Sequence, residues 1–230
     1  MTRRLSAVGR GRTRGVHALM IAVVATVLAL GLDACTLGSG YQYVAHRAPD
    51  GVDLYVKVPP QWRIFDTAQV LDAQNGHLAP TQLKQLSSGE WVETMSSRPR
   101  GTVKTSLGIG KQYPTAVVES RELSSSERDN LSISSMRSEL LGTDPLTASS
   151  GFEVLDYSEL TGSGGIHGIR MTVNITGVKP ALTFGQVTAV DANTDYIFAL
   201  GVGCRITCWG ENAGSLKTLL DSWTVKEQSP

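Results

Sequence analysis

Val52, Leu54, Val56 and Val58 alternate with Asp53, Tyr55 and Lys57, the period of a strand that lays one face on a core. Pro59-Pro60 stops it, because proline brings no N–H to a ladder. Trp62 and Ile64 begin a second short β-like piece. The pattern then loosens. Helical fragments are expected around Ala68 to Gln74 and Pro80 to Leu86, separated by an Asn75-Gly76 turn, and residues 96 to 110 read as a surface loop marked by Pro99, Gly101, Gly108 and Gly110.

From Ala116 the pattern sharpens. Ala116 to Arg121 reads as a strand, and Ser124-Ser125-Ser126-Glu127 is a capping box for a helix reaching Leu141, with Gly142 its C′ residue. Ile133, Met136 and Leu140 make one apolar stripe on that helix, which a sheet must cover. Strands follow at Phe152 to Tyr157, Ile166 to Ile175, Leu182 to Val190 and Tyr196 to Val202, with Asp191 to Thr194 as a hairpin loop. Leu216, Leu219, Leu220 and Trp223 mark a closing helix, and Thr224 to Lys226 a short extension. The links between the later strands are too short for parallel crossovers, so the fold class is α+β, an antiparallel sheet covered by helices.

The longest apolar run lies elsewhere. Arg3, Arg4, Arg10, Arg12 and Arg14 precede a tract from Val16 to Leu32, 17 residues long, against the roughly 20 that a membrane span needs. A basic segment before a short apolar one is the order of an export signal. Leu32-Asp33-Ala34-Cys35 resembles the bacterial lipoprotein signal, with Asp33 where a small uncharged residue is usual. The resemblance implies a signal peptide over residues 1–35, cleaved before Cys35, and a diacylglyceryl thioether on the Cys35 thiol. Residues 36–50, rich in Gly and Ser with one Pro, then read as a tether, and residues 51–230 as a single α+β domain. The expected location is the cell membrane, lipid-anchored at its extracytoplasmic face, which the positive-inside rule also favours.

Val58-Pro59-Pro60-Gln61-Trp62 after a strand looks like the V-P-x-G-W segment of the Mog1/PsbP-like fold, with Gln61 where Gly is usual. Asp221-Ser222-Trp223-Thr224-Val225 is similar to the way those domains end. The resemblance extends to actinobacterial cell-envelope lipoproteins of the LpqN type and runs over residues 50 to 226 as an order of elements. It implies an α/β/α sandwich and an accessory or protein-binding role, with no shared catalytic residues.

Charge and chemistry narrow this further. Residues 1–35 hold five of the 21 Lys and Arg and one of the 21 Asp and Glu, leaving 16 against 20, a formal charge of −4 on the remainder. An acidic domain without a Lys/Arg block has no footprint for nucleic acid. Of three cysteines, Cys35 is assigned to lipid, and Cys204 and Cys208 form an even pair. An extended C-x-x-x-C would part their Cα atoms by roughly 13 Å. A disulfide therefore needs the strand to stop near Gly203 and the chain to coil from Cys204 to Trp209. The same spacing leaves open a redox dithiol or a copper site of the kind that membrane-anchored Sco proteins carry.

No zinc set is assigned, because His46, His77 and His167 have no His or Cys at i+4. Thr161-Gly162-Ser163-Gly164-Gly165 is not a nucleophile elbow, and Ser106 to Lys111 departs from the P-loop at Thr105 and Gln112. No catalytic residue, metal ligand or cofactor is assigned. Asp144, Asp156 and Glu159 read as solvated charge. The function expected is a non-enzymatic envelope lipoprotein that binds an envelope protein. The alternative is a carrier of a lipid or other apolar ligand, which requires an internal cavity.

Overall fold

The computed structural model describes residues 40–49 and 51–227. Two antiparallel sheets are built from strands β1 Gln42–Arg47, β2 Val52–Val58, β3 Arg63–Phe65, β4 Glu90–Ser96, β5 Thr115–Glu122, β6 Phe152–Thr161, β7 His167–Ile175, β8 Leu182–Val190, β9 Tyr196–Arg205 and β10 Thr224–Glu227. The larger sheet runs β3-β4-β5-β9-β8-β7-β6 and the smaller β1-β2-β10. The helices are α1 Thr67–Asn75, α2 Pro80–Leu86, α3 Val103–Ser106, α4 Ser125–Asp129, α5 Ile133–Ser138 and α6 Ile206–Ser222.

Alternation along the strands gives the large sheet two covered faces. One face carries Val118, Phe198, Leu200 and Val202, which pack with Leu216, Leu219 and Leu220 of α6 and with Leu54 and Val56 of β2 in the main core. The opposite face splits. Ile169, Met171 and Val173 bury Met136 of α5, whereas Val92 and Val117 pack with Val70 and Leu71 of α1. Between these two clusters the face lacks a helical cover of its own.

The lead-in is shorter than the tether expected over residues 36–50, since residues 42–47 are already strand. Gln42 pairs with Val58 and Arg47 with Asp53. The pairing is locked at both ends. Gln42 Nε2 donates to the Pro59, Pro60 and Trp62 carbonyls at 3.3, 3.0 and 2.7 Å, capturing carbonyls that the Pro-Pro corner leaves without ladder partners. Arg47 grips Asp53 through two hydrogen bonds, and His46 stacks on Trp91 of the other sheet at 4.3 Å between ring centroids. Gln61 is not among the residues with positive φ, so the corner does not require glycine there.

The helix expected from Ser124 to Leu141 is two helices. Ser124 caps α4 through Glu127 N, and Ser132 starts a second cap by accepting from Ser135 N. A hydroxyl that offers the backbone a competing partner ends one helix and opens the next. Gly142 closes the pair at φ 69°, its N–H donating to Ser138 O at 2.7 Å. The loop expected from 96 to 110 contains α3. The closing extension at Thr224 pairs with Tyr55 and so joins the small sheet.

Candidate functional site

Cys35 lies outside the described residues. Cys204 is the last residue but one of β9 and Cys208 sits in the first turn of α6, joined by a disulfide at a Cα separation of 5.9 Å. Strand β9 runs on to Arg205, two residues past the expected stop at Gly203, and the helix begins at once at Ile206. That abrupt turn brings i and i+4 together. Both sulfurs are buried, and Asn212 Nδ2 donates to the Cys208 carbonyl at 2.8 Å.

The histidines stand apart. His46 is half-buried against Trp91, and burial lowers its pKa; His77 is exposed beside Asp72 at 3.1 Å; His167 meets the Gly165 carbonyl at 3.1 Å. Among the described residues no three His, Cys, Asp or Glu side chains gather as a metal's ligand set, nor is any helix long and apolar enough to cross a membrane. Gly162 to Gly165 forms the tight connection between β6 and β7.

Asp144 is not solvated charge. It is 7% exposed and receives Arg137 Nε at 2.8 Å, Arg137 Nη2 at 2.7 Å, Ser134 Oγ at 2.6 Å and Leu146 N at 3.0 Å. Those donors, the Arg137 hydrogen bond first, hold its carboxyl far below the usual range. The arrangement clamps α5 to the segment that follows it.

Among the concave features a groove of about 270 Å³ lies where the sheet lacks a helical cover. Its floor follows the ladder register: Thr94 of β4 lies opposite Val117 of β5, and Val117 opposite Gly201 of β9. Val92, Glu119 and Ala199 form the next row, so these side chains share one face. Leu107, Ile109, Leu140 and Phe184 wall it, with Ile109, Leu140 and Phe184 in one apolar cluster. The glycines let that wall close down: a Cβ on Gly201 would meet Leu140 Cδ1 and Phe184 Cζ at 2.6 Å.

Most polar groups in this groove are engaged with the protein itself. Thr94 Oγ1 and Ser106 Oγ share a hydrogen bond of 2.7 Å, Ser106 Oγ is also 2.7 Å from the Val103 carbonyl, and Thr115 Oγ1 accepts from Gly110 N and donates to Gly108 O. Glu119 differs. Its carboxyl makes no hydrogen bond or ion pair among the described residues, and burial, aided by the charges of Glu139 and Glu90, raises its pKa to about 7. Nearby Arg121 is held by Glu139 at 2.8 Å and Glu127 at 2.7 Å. Sequence reading missed Glu119, because the groove joins residues about a hundred positions apart and no local spacing marks it.

An adjoining cleft of about 330 Å³ shares Ile109 and Thr115 with the groove and is rimmed by Arg98 and Lys111. A smaller one of about 120 Å³ lies beside His46 and Trp91. A fourth, about 270 Å³, lies between β7, β8 and the end of α6.

No family model matches the chain, and no curated protein does. Among solved structures the chain is similar to LpqN, described as involved in cell envelope biogenesis of Mycobacterium tuberculosis. That match has 13% identity and a TM-score of 0.42, covering 81% of this chain and 91% of that one. It is also similar to the Saccharomyces cerevisiae Ran-binding protein Mog1p, at 10% identity and a TM-score of 0.43, covering 81% and 97%. A third similar structure is the cyanobacterial PsbP of Synechocystis sp. PCC 6803, at 12% identity and a TM-score of 0.41, covering 83% and 96%. These belong to the fold groups that the Val58 to Trp62 segment resembles.

Proposed function

We propose that the chain is exported and held by lipid on Cys35 at the outer face of the cytoplasmic membrane, where its α+β domain binds another envelope protein without catalysing a reaction. The observation that carries this reading is the pairing of Cys204 with Cys208. A disulfide buried in the domain suits an oxidising compartment, and of the three cysteines it leaves Cys35 with its thiol, at the residue where the lipoprotein signal needs one. The arginine-rich start and the 17-residue apolar tract supply the route. The chain carries none of the nucleophile-elbow, zinc-hydrolase or P-loop signatures that would argue for an enzyme.

The carrier alternative fares less well. A two-chain lipid brings on the order of 30 methylenes. Clefts of about 120 to 330 Å³ are small beside that load, given that one water alone takes about 30 Å³.

Labelled palmitate fed to cells producing the chain or its Cys35→Ala variant tests the anchor. Label on the parent and none on the variant is expected; equal label on both defeats the reading. Crosslinking in intact envelopes, with Cys35 retained, is expected to capture a protein at the membrane surface, and its loss in Cys35→Ala cells ties capture to the anchor.

A further inference from the structure

We propose that the groove over strands β4, β5 and β9 is a binding site for a small organic cation, a primary ammonium on a short apolar chain, with Glu119 as its counter-charge. Three observations converge on that chemistry. The walls are largely apolar: Leu107, Ile109, Leu140 and Phe184 offer a stem hydrocarbon, and Gln74 is the one amide side chain among the lining residues. The charge is one-sided, since the groove is lined by Glu90 and Glu119 and by no Lys or Arg. The hydroxyls of Thr94, Ser106 and Thr115 are already paired within the protein, whereas the carboxyl of the half-buried Glu119 has no partner among the described residues.

Size sets the ligand. A volume of about 270 Å³ holds on the order of ten non-hydrogen atoms, taking about 30 Å³ as one water's share of the liquid. That admits an amine of about six carbons and excludes a two-chain lipid. A half-buried carboxylate without a partner carries a desolvation cost. An ammonium placed against it offsets that cost, whereas an alcohol of the same shape brings no charge and a carboxylate adds repulsion.

Protonation regulates the site. Glu119 faces Glu90 from β4 and Glu139 from the end of α5, while Arg121 on its own strand is committed to Glu139 and Glu127. With a pKa of about 7, the Glu119 carboxyl is mostly charged at pH 8 and mostly neutral at pH 6. The ammonium stays charged throughout, so affinity is expected to fall about tenfold from pH 8 to pH 6. This inference does not rest on export or on the anchor.

The test uses the full chain in phosphatidylcholine nanodiscs, with empty nanodiscs as the blank, titrated with hexylammonium, hexanol and hexanoate while amide chemical shifts are followed. Hexylammonium is expected to shift the amides of Val117, Gly201 and Gly203 saturably, and the other two probes are not. Glu119→Gln should weaken hexylammonium at least about tenfold and remove the pH dependence. Glu90→Gln, an exposed change that leaves folding intact, should weaken it by about twofold to fivefold. Equal binding of hexanol, no saturable shift with hexylammonium, or unchanged affinity in Glu119→Gln that still melts cooperatively would each overturn the site. So would binding of an Ala-Lys-Ala peptide in preference to the free amine, which would assign the groove to a partner's lysine.

Discussion

Single residues set the chain's response to pH, and they do so in opposite directions. Asp144 is stabilised as a carboxylate by Arg137, Ser134 and the Leu146 amide, with Arg137 and Asp144 side chains only 12% and 6% exposed. Its folded pKa lies below the unfolded value of 3.8. The stability it contributes is therefore present above pH 3.8 and is lost as pH falls through the folded pKa. Asp144→Ala leaves Arg137 buried with only the Tyr157 hydroxyl at 3.3 Å and is expected to cost about 3 to 5 kcal/mol, read by urea melting at pH 7.

Glu119 runs the other way. Its folded pKa of about 7 stands above the usual 4.5, so the native state holds the proton longer than the unfolded chain does. Stability from this group is full below pH 4.5 and declines as pH rises through 7, a loss of up to about 3 kcal/mol at 1.36 kcal/mol per pKa unit. Glu93, raised to about 7 chiefly by burial, adds to the same trend. Glu119→Gln is expected to gain stability relative to the parent at pH 8 and to match it near pH 4. Urea melts of both proteins across that range measure the difference, and parallel curves would dismiss the assignment.

Elements were legible in proportion to how one-sided their burial is. Strand β2 puts Val52, Leu54, Val56 and Val58 on one face, and Val52 to Val58 appears with the bounds its alternation predicts. Strand β4 gave no such period. Trp91 and Met95 point into the main core, while Val92 and Thr94 face α1 and the groove, and a strand covered on both faces does not alternate. Strand β1 was hidden for the opposite reason: Val44 is the buried hydrophobic among its six residues, so it looks like tether until its partner is known. The groove was illegible altogether, because its floor is a row across three strands, a product of register rather than of spacing.

The link between β9 and α6 is the element-scale feature whose chemistry is simplest to test. Closing a five-residue ring by Cys204–Cys208 is worth about 2 kcal/mol in the loop-entropy account. The paired change Cys204→Ser and Cys208→Ser is expected to lower stability by about that amount, without loss of the fold, since Leu216, Leu219 and Leu220 still hold α6. Thiol titration of the folded parent should find neither cysteine reactive until a reductant is added. Two reactive thiols would return the redox and copper readings.

At the scale of the whole molecule, two unlike requirements meet. The large sheet must be covered on both faces to hide Val118, Leu200 and Val202 on one side and Ile169, Met171 and Val173 on the other. The helices on the second face are short, and they leave a strip between α1 and α5 where Glu119 keeps part of its surface in solvent while Thr94 and Thr115 stay buried. Edge strand β6 is largely exposed, with Leu155 51% accessible. Its register shifts between Val154 and Asp156, and Glu153, Asp156 and Glu159 lie along it. A bulge and charges of this kind discourage pairing with another sheet edge.

Strand β1 also changes how the domain bears load. With β1 starting at Gln42, six peptide units separate Cys35 from Tyr41, the residue just before the strand, a leash of at most about 20 Å. On the proposed anchoring, a pull between a lipid at Cys35 and a partner of the domain would enter through the first residue of β1. Along the strand axis, the β1–β2 hydrogen bonds lie perpendicular to the force and resist together, in shear, instead of parting one after another like a zip. The Gln42 bonds to the Pro59, Pro60 and Trp62 carbonyls stand at the point where that tension arrives.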